Sequence, residues 1–165
     1  MPSPKPTTTS PTNIVIVPDM LAIDLIAATK RELNLTYLDS EYAAWDYYRG
    51  VDGTVINGRG KKFEVMVWKP ELKPGERITS EAVRSHLREL GFHGHTGAFT
   101  AWRKTCALSG YHASIPEDNS CWRHSDGRLC VPSSDFDGGL RGLYRDWLGN
   151  DWSGRCSFVA FREIS

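Results

Sequence analysis

The chain contains no Gln, and residues 118–162 contain no Lys, Glu or Met either. The other 120 positions carry seven Lys, nine Glu and three Met, so 45 residues of the same composition would hold about seven of them. Ligand binding alone imposes no such filter. Randomising the adenines of an Asn codon, AAC or AAT, does impose it. The third base stays a pyrimidine, so Lys, Glu, Gln, Met and additional Trp cannot be written. Asn, Asp, Ser, Thr, Tyr, His, Cys, Arg, Gly, Ala, Val, Leu, Ile, Phe and Pro can. The stretch CWRHSDGRLCVPSSDFDGGLRGLYRDWLGNDWSGRCSFVAFRE reads as fixed Trp and Gly posts with such residues between them.

Net charge is also missing. Lys plus Arg and Asp plus Glu both number 20, and the pI is near 7.0. The broad basic footprint of a nucleic-acid binder is therefore absent, and no nucleic-acid partner is expected. The longest apolar stretch, IVIVPDMLAIDLIAA, is broken by Pro18, Asp19 and Asp24. It fits neither a signal-peptide core nor a spanning helix, so no membrane insertion is expected and the default compartment is the cytoplasm.

Cys106, Cys121, Cys130 and Cys156 form no CxxC pair and have no His at zinc-finger spacing, so they read as free thiols. No GxSxG or Walker pattern occurs, and His112 and His124 fit no triad order. His86, His93 and His95 have no neighbouring carboxylate to complete a metal set. Asp135 and Asp137 in DFDGG open like a calcium loop, but the rest of that pattern is missing and Asx-turns account for them. No catalytic residue, metal or cofactor is expected.

A length of 165 residues fits one domain. Residues 1–12 read as a flexible Pro/Thr/Ser-rich leader and 13–165 as the domain. Residues 13–17 predict a short strand ended by Pro18, and Asp19 an N-cap for an amphipathic helix over 20–35. Residues 37–48, with Trp45 and four tyrosines, fit either helix or aromatic loop. Residues 51–60 are turn-rich, and KFEVMVWK alternates like a half-buried strand over 62–69.

Thr79 or Ser80 caps a helix whose Val83, Leu87 and Leu90 share a face, with Gly91 as its stop. Phe99, Trp102 and Cys106 predict a second helix over 96–108. Residues 110–157 are rich in Gly, Ser, Asp and Asn and read as long loops held by Trp122, Trp147 and Trp152. SFVAFREI closes the chain as a buried strand over 157–164. The expected class is α+β, with two helices, a small antiparallel sheet and a long loop-rich C-terminal region.

Trp122, Gly127, Val131-Pro132, Gly139, Arg141, Leu143, Trp147, Asp151-Trp152 and the closing FVAFR resemble the variable proteins of diversity-generating retroelements. The upstream KPGERITSEAVRSHLRELG is similar to the helix that precedes this region in related proteins. The resemblance runs from about Trp68 to the C-terminus. It implies a C-type lectin-like fold with a variable region over about 119–157, whose positions stand as Asn in a template copy. Trp has the single codon TGG, without adenine, so the three Trp posts would persist as a frame.

The resemblance further implies a non-enzymatic, ligand-binding protein with a hypervariable surface. Its contact residues would be Cys121, Arg123, His124, Cys130, Ser133, Ser134, Leu140, Gly142, Tyr144, Leu148, Gly149, Ser153, Gly154, Arg155 and Cys156. Tyr144, Arg123 and Arg155 would be the anchors, because Tyr and Arg provide contact area and planar hydrogen bonding at low entropy cost. The partner would be a protein or a glycan surface, and the sequence leaves the oligomeric state open. Two alternatives stand beside this reading. One is an enzyme of the sulfatase-modifying-factor type on the same topology; the other is an interaction domain that is not diversified.

Overall fold

A computed structural model describes residues 14–43 and 56–164. The architecture is mixed α+β: the described residues form four α-helices around a large sheet rather than two around a small one. The predicted leader and much of the 37–48 and 51–60 stretches lie outside the described residues.

Strand β1 (Ile14–Ile16) leads to helix α1 (Ala22–Leu33), which buries Ala22, Leu25, Ile26, Ala28, Thr29 and Leu33 along one side. The predicted Asp19 cap does not form. Leu21 holds the cap position without a side-chain bond, and Asp19 pairs instead with Arg59 at 3.2 Å. Asn34, in the left-handed region at φ 53°, ends the helix. The aromatic stretch that follows divides into strand β2 (Tyr37–Leu38) and the single turn α2 (Ser40–Ala43).

Strand β3 (Lys62–Trp68) is followed by β4 (Arg77–Thr79) and helix α3 (Ser80–Glu89). The Thr79 hydroxyl accepts from the Ala82 N–H at 3.1 Å, and Gly91 at φ 82° follows the end of the helix, as its sequence position predicts. Helix α4 (Thr96–Thr105) is a turn shorter than its apolar spacing predicts. Beyond its end the Arg103 guanidinium donates to the carbonyls of Cys106 at 3.2 Å and Leu108 at 2.8 Å, holding the chain in its non-helical path.

The remainder is largely strand rather than loop: β5 (Gly110–Ala113), β6 (Trp122–Arg123), β7 (Leu129–Asp137), β8 (Leu140–Trp147), β9 (Asp151–Ser153) and β10 (Cys156–Ile164), with one 3-10 turn at Asp118–Ser120. Composition misleads here because strand preference reflects packing on a pleated surface more than intrinsic bias. Gly138, at φ 59°, and Gly139 make a two-residue hairpin that fixes the β7–β8 register from Asp137↔Leu140 to Cys130↔Trp147.

The main sheet runs β1-β3-β10-β5-β7-β8-β2, with β6 beside β7. It is mixed, not purely antiparallel, since β5–β10 and β2–β8 pair in parallel. Phe63, Val65, Val67, Val159 and Phe161 on one face pack with Leu25, Phe99 and Trp102 from α1 and α4. Met66, Trp68, Phe158 and Ala160 on the other face pack with Val83 and Leu87 of α3 and with Trp152 of β9. Each fully buried large side chain contributes roughly 1.5–3 kcal/mol. Buried on both faces, β3 and β10 anchor the sheet, while its β7-β8-β2 end has a helix cover on one face only.

Candidate functional site

Strand alternation sorts the C-terminal residues between the two faces. The β6–β7 and β7–β8 registers put Arg123, Ser133, Leu140, Gly142 and Tyr144 on the face away from α1 and α4, together with Asp135 and Asp146. The β5 and β2 registers add Tyr111, opposite Asp135, and Tyr37, opposite Gly142. Tyr37 and Tyr144 stack with centroids 4.9 Å apart and planes 19° from parallel. Tyr37 is 48% exposed, so the pair presents an open aromatic platform.

Beside it, the Arg155 guanidinium stands 3.7 Å from the Asp135 carboxylate and 5.1 Å from the centre of the Tyr111 ring. The Tyr111 hydroxyl donates to Asp146, which also accepts from Asn150 Nδ2 at 3.1 Å. Burial, and then the Asp146 charge, push the Tyr111 phenol far up. It therefore remains a neutral donor. Burial, followed by the Asp135 charge, raises Tyr144 as well. The surface thus offers neutral phenols, two carboxylates and an exposed guanidinium.

Two depressions extend it. One, of about 200 Å³, lies among Tyr111, Asp146, Asn150, Ser153 and Arg155. A second, of about 450 Å³, lies among Arg128, Leu129, Trp147, Leu148, Gly149 and Asn150. Asn150 borders both, so they adjoin. The Trp147 ring is held by two cations, Arg128 at 3.3 Å and Arg145 at 4.0 Å from its centre. Trp152 donates from Nε1 to the Ser80 hydroxyl at 2.9 Å, pinning β9 to α3.

The fifteen sequence-predicted contact residues divide by accessibility. Arg123, Leu140, Gly149 and Arg155 are exposed, and His124, Tyr144, Leu148, Ser153 and Gly154 are half-buried. Cys121, Cys130, Ser133, Ser134, Gly142 and Cys156 are buried, which removes them from the contact surface. Cys121 packs under α3, and Cys130 packs beneath α1 and α2 with Trp122 and Leu143. Ser134 faces α4, where its hydroxyl accepts from Arg103 Nε at 2.9 Å. Ser133, Gly142 and Cys156 form the floor under the tyrosines and Arg155. His124 turns toward α2, with Nε2 2.5 Å from Glu41.

No protein-family model, no curated protein and no solved structure matches the chain. The site therefore rests on its own geometry. Sequence reasoning omits Tyr37 and Tyr111, which precede the filtered segment and join the surface only through strand pairing. It places Asp135 in a turn, whereas Asp135 stands within β7.

All four cysteines are free and buried. Burial raises the thiol of Cys121 to about 12 and that of Cys130 to about 11, and pushes Cys156 upward too. Among the described residues, no cluster of three or more His, Cys, Asp or Glu is placed to hold a metal ion. Among the same residues, no helix is long and apolar enough to cross a membrane.

Proposed function

We propose that this protein is a ligand-binding member of the diversity-generating retroelement variable proteins, with a C-type lectin-like fold and a hypervariable face centred on Tyr144 and Arg155. One observation carries the reading. The segment that lacks Lys, Glu, Gln and Met also supplies most of the open face beside β2, including Asp135, Tyr144, Asp146, Ser153 and Arg155. The sheet and the Trp posts beneath provide a rigid frame on which exposed side chains can change at little cost in stability. A few Tyr and Arg anchors on such a frame supply affinity through preorganisation rather than through area.

The ligand is a protein or glycan surface. The buried, protonated thiols of Cys121, Cys130 and Cys156 support binding over the sulfatase-modifying-factor alternative, which needs a reactive cysteine pair. Sequencing the DNA beside the gene tests the reading. A near-identical repeat, differing only where it carries adenine and lying next to a reverse transcriptase, is expected; differences at other bases overturn it.

A further inference from the structure

Glu41 stands on α2, outside the segment that lacks Lys, Glu and Met, yet it pairs with two residues inside that segment. Its Oε1 lies 2.5 Å from His124 Nε2, and its Oε2 lies 3.1 Å from Arg145 Nε. Oε2 and the Arg145 nitrogen are both closed to solvent. His124 Nδ1 accepts from the Asp126 N–H at 3.1 Å, so the hydrogen of a neutral ring sits on Nε2 and points to Glu41.

Two branches leave this carboxylate and meet again at Trp147. In one, the Arg145 guanidinium rests 4.0 Å from the centre of the Trp147 ring. In the other, His124 meets the same ring at 5.2 Å and 80°, and Asp126 beside it holds Arg128 through Nε at 2.9 Å and Nη2 at 2.7 Å. The Arg128 guanidinium in turn lies 3.3 Å from the Trp147 ring centre. Arg128 and Trp147 together wall the depression of about 450 Å³ that also touches Leu148 and Asn150.

We propose that Glu41 is a positioning residue of the recognition face: it holds the Arg128–Trp147 wall in place and selects basic side chains at positions 124 and 145. The assignment rests on reading that depression as part of the ligand surface. An apolar or acidic side chain at either position would leave the half-buried carboxylate without one of its cations, which costs more than an exposed pair ever returns. Pyrimidine-ended codons write His and Arg but never Glu. The filtered segment can therefore supply the cations, whereas the Glu that orients them has to come from outside it. Positions 124 and 145 are thus coupled through position 41 instead of varying freely.

A display library of the full chain, with pyrimidine-ended codons at positions 124 and 145 and selection for protease resistance, tests the selection in three backgrounds. With Glu41 in place, Arg and His should outnumber Asp roughly tenfold or more at both positions. Glu41→Gln should cut that ratio several-fold, and Glu41→Arg should invert it in favour of Asp. Should no Glu41→Arg clone survive, the Glu41→Gln ratio decides alone. The same preference with and without the carboxylate overturns the proposal. Positioning has its own readout in the NMR spectrum of Glu41→Gln protein. NOEs between the Arg128 side chain and the Trp147 ring should weaken at least twofold, while those between Tyr37 and Tyr144 stay as they are. Unchanged Arg128–Trp147 NOEs, or loss of both sets together, overturn it. Neither measurement involves a ligand or the DNA beside the gene, so this inference and the diversification reading can fail separately.

Discussion

The Tyr144 ring lies folded over Gly142, so that a Cβ added at position 142 would stand 2.5 Å from the ring's Cε2. This fold-back carries the ring to Tyr37 on the neighbouring strand and creates the aromatic platform. Positions 142 and 144 are therefore coupled. Gly142→Ser, one of the changes that adenine randomisation permits, should swing Tyr144 away and break the stack. The cost should be roughly 0.5–1.5 kcal/mol, since the ring can rotate out. Loss of ring-to-ring NOEs between Tyr37 and Tyr144, with the native fold retained, is the expected result.

Positions in the filtered segment should divide sharply in tolerance. A library of pyrimidine-ended codons at Arg123, Leu140, Gly149 and Arg155 should yield folded protein for most residues, with changes within about 0.5 kcal/mol. The same library at Cys121, Cys130 and Ser134 should return only small side chains, because overpacking a filled core costs about 1–3 kcal/mol or more. Protease-resistant display followed by sequencing reads both outcomes.

Acidification should destabilise the fold through its buried histidines. His112 is 3% exposed, and burial together with the Arg103 charge lowers its pKa to about 4. The unfolded ring titrates near 6.5. Between these values the unfolded chain binds the extra proton, so stability falls as pH drops from about 6.5 toward 4, and is fully present above that window. His95 acts in the same direction, with its pKa also lowered to about 4. Urea unfolding at pH 7.5 and pH 5 should show the loss, and His112→Gln should flatten the slope.

Arg103→Met should be strongly destabilising, by roughly 3 kcal/mol or more. The guanidinium lies 3.6 Å from the centre of the Phe136 ring and donates to Ser134 and to the carbonyls of Cys106 and Leu108. Removing it leaves several buried acceptors unpaired. Chemical denaturation measures the change, and Ser134→Ala, which removes one acceptor, should cost much less.

Thiol chemistry separates the binding reading from the enzymatic one. With Cys121 raised to about 12 and Cys130 to about 11, native protein at pH 8 should react with a disulfide reagent only on the unfolding timescale. A single fast-reacting cysteine in native protein would favour the enzyme.

Periodic segments were legible without coordinates. Val83, Leu87 and the Thr79 cap specified α3, and the alternation of KFEVMVW specified β3, because these signals depend on neighbours in the chain. The strands β7 and β8 were not legible. Their Gly, Ser and Asp content resembles loop, and their stability comes from cross-strand partners and from Arg103 on a distant helix. Tyr144 and Arg155 could be singled out as contacts from residue type. Ser134 and Cys130 could not be excluded, since alternation reveals a face only once the register is known.

By itself, then, the sequence determined where α3 and α4 begin and that residues 118–162 differ in composition from the rest of the chain. The tertiary structure decided which residues of that segment meet solvent and which lie under α1, α3 and α4. It also brought Tyr37 and Tyr111 to their side. The physical reason is range: caps and periodicity act within a few residues, whereas sheet register and helix cover are set by partners up to about a hundred positions away, as Tyr37 and Gly142 are.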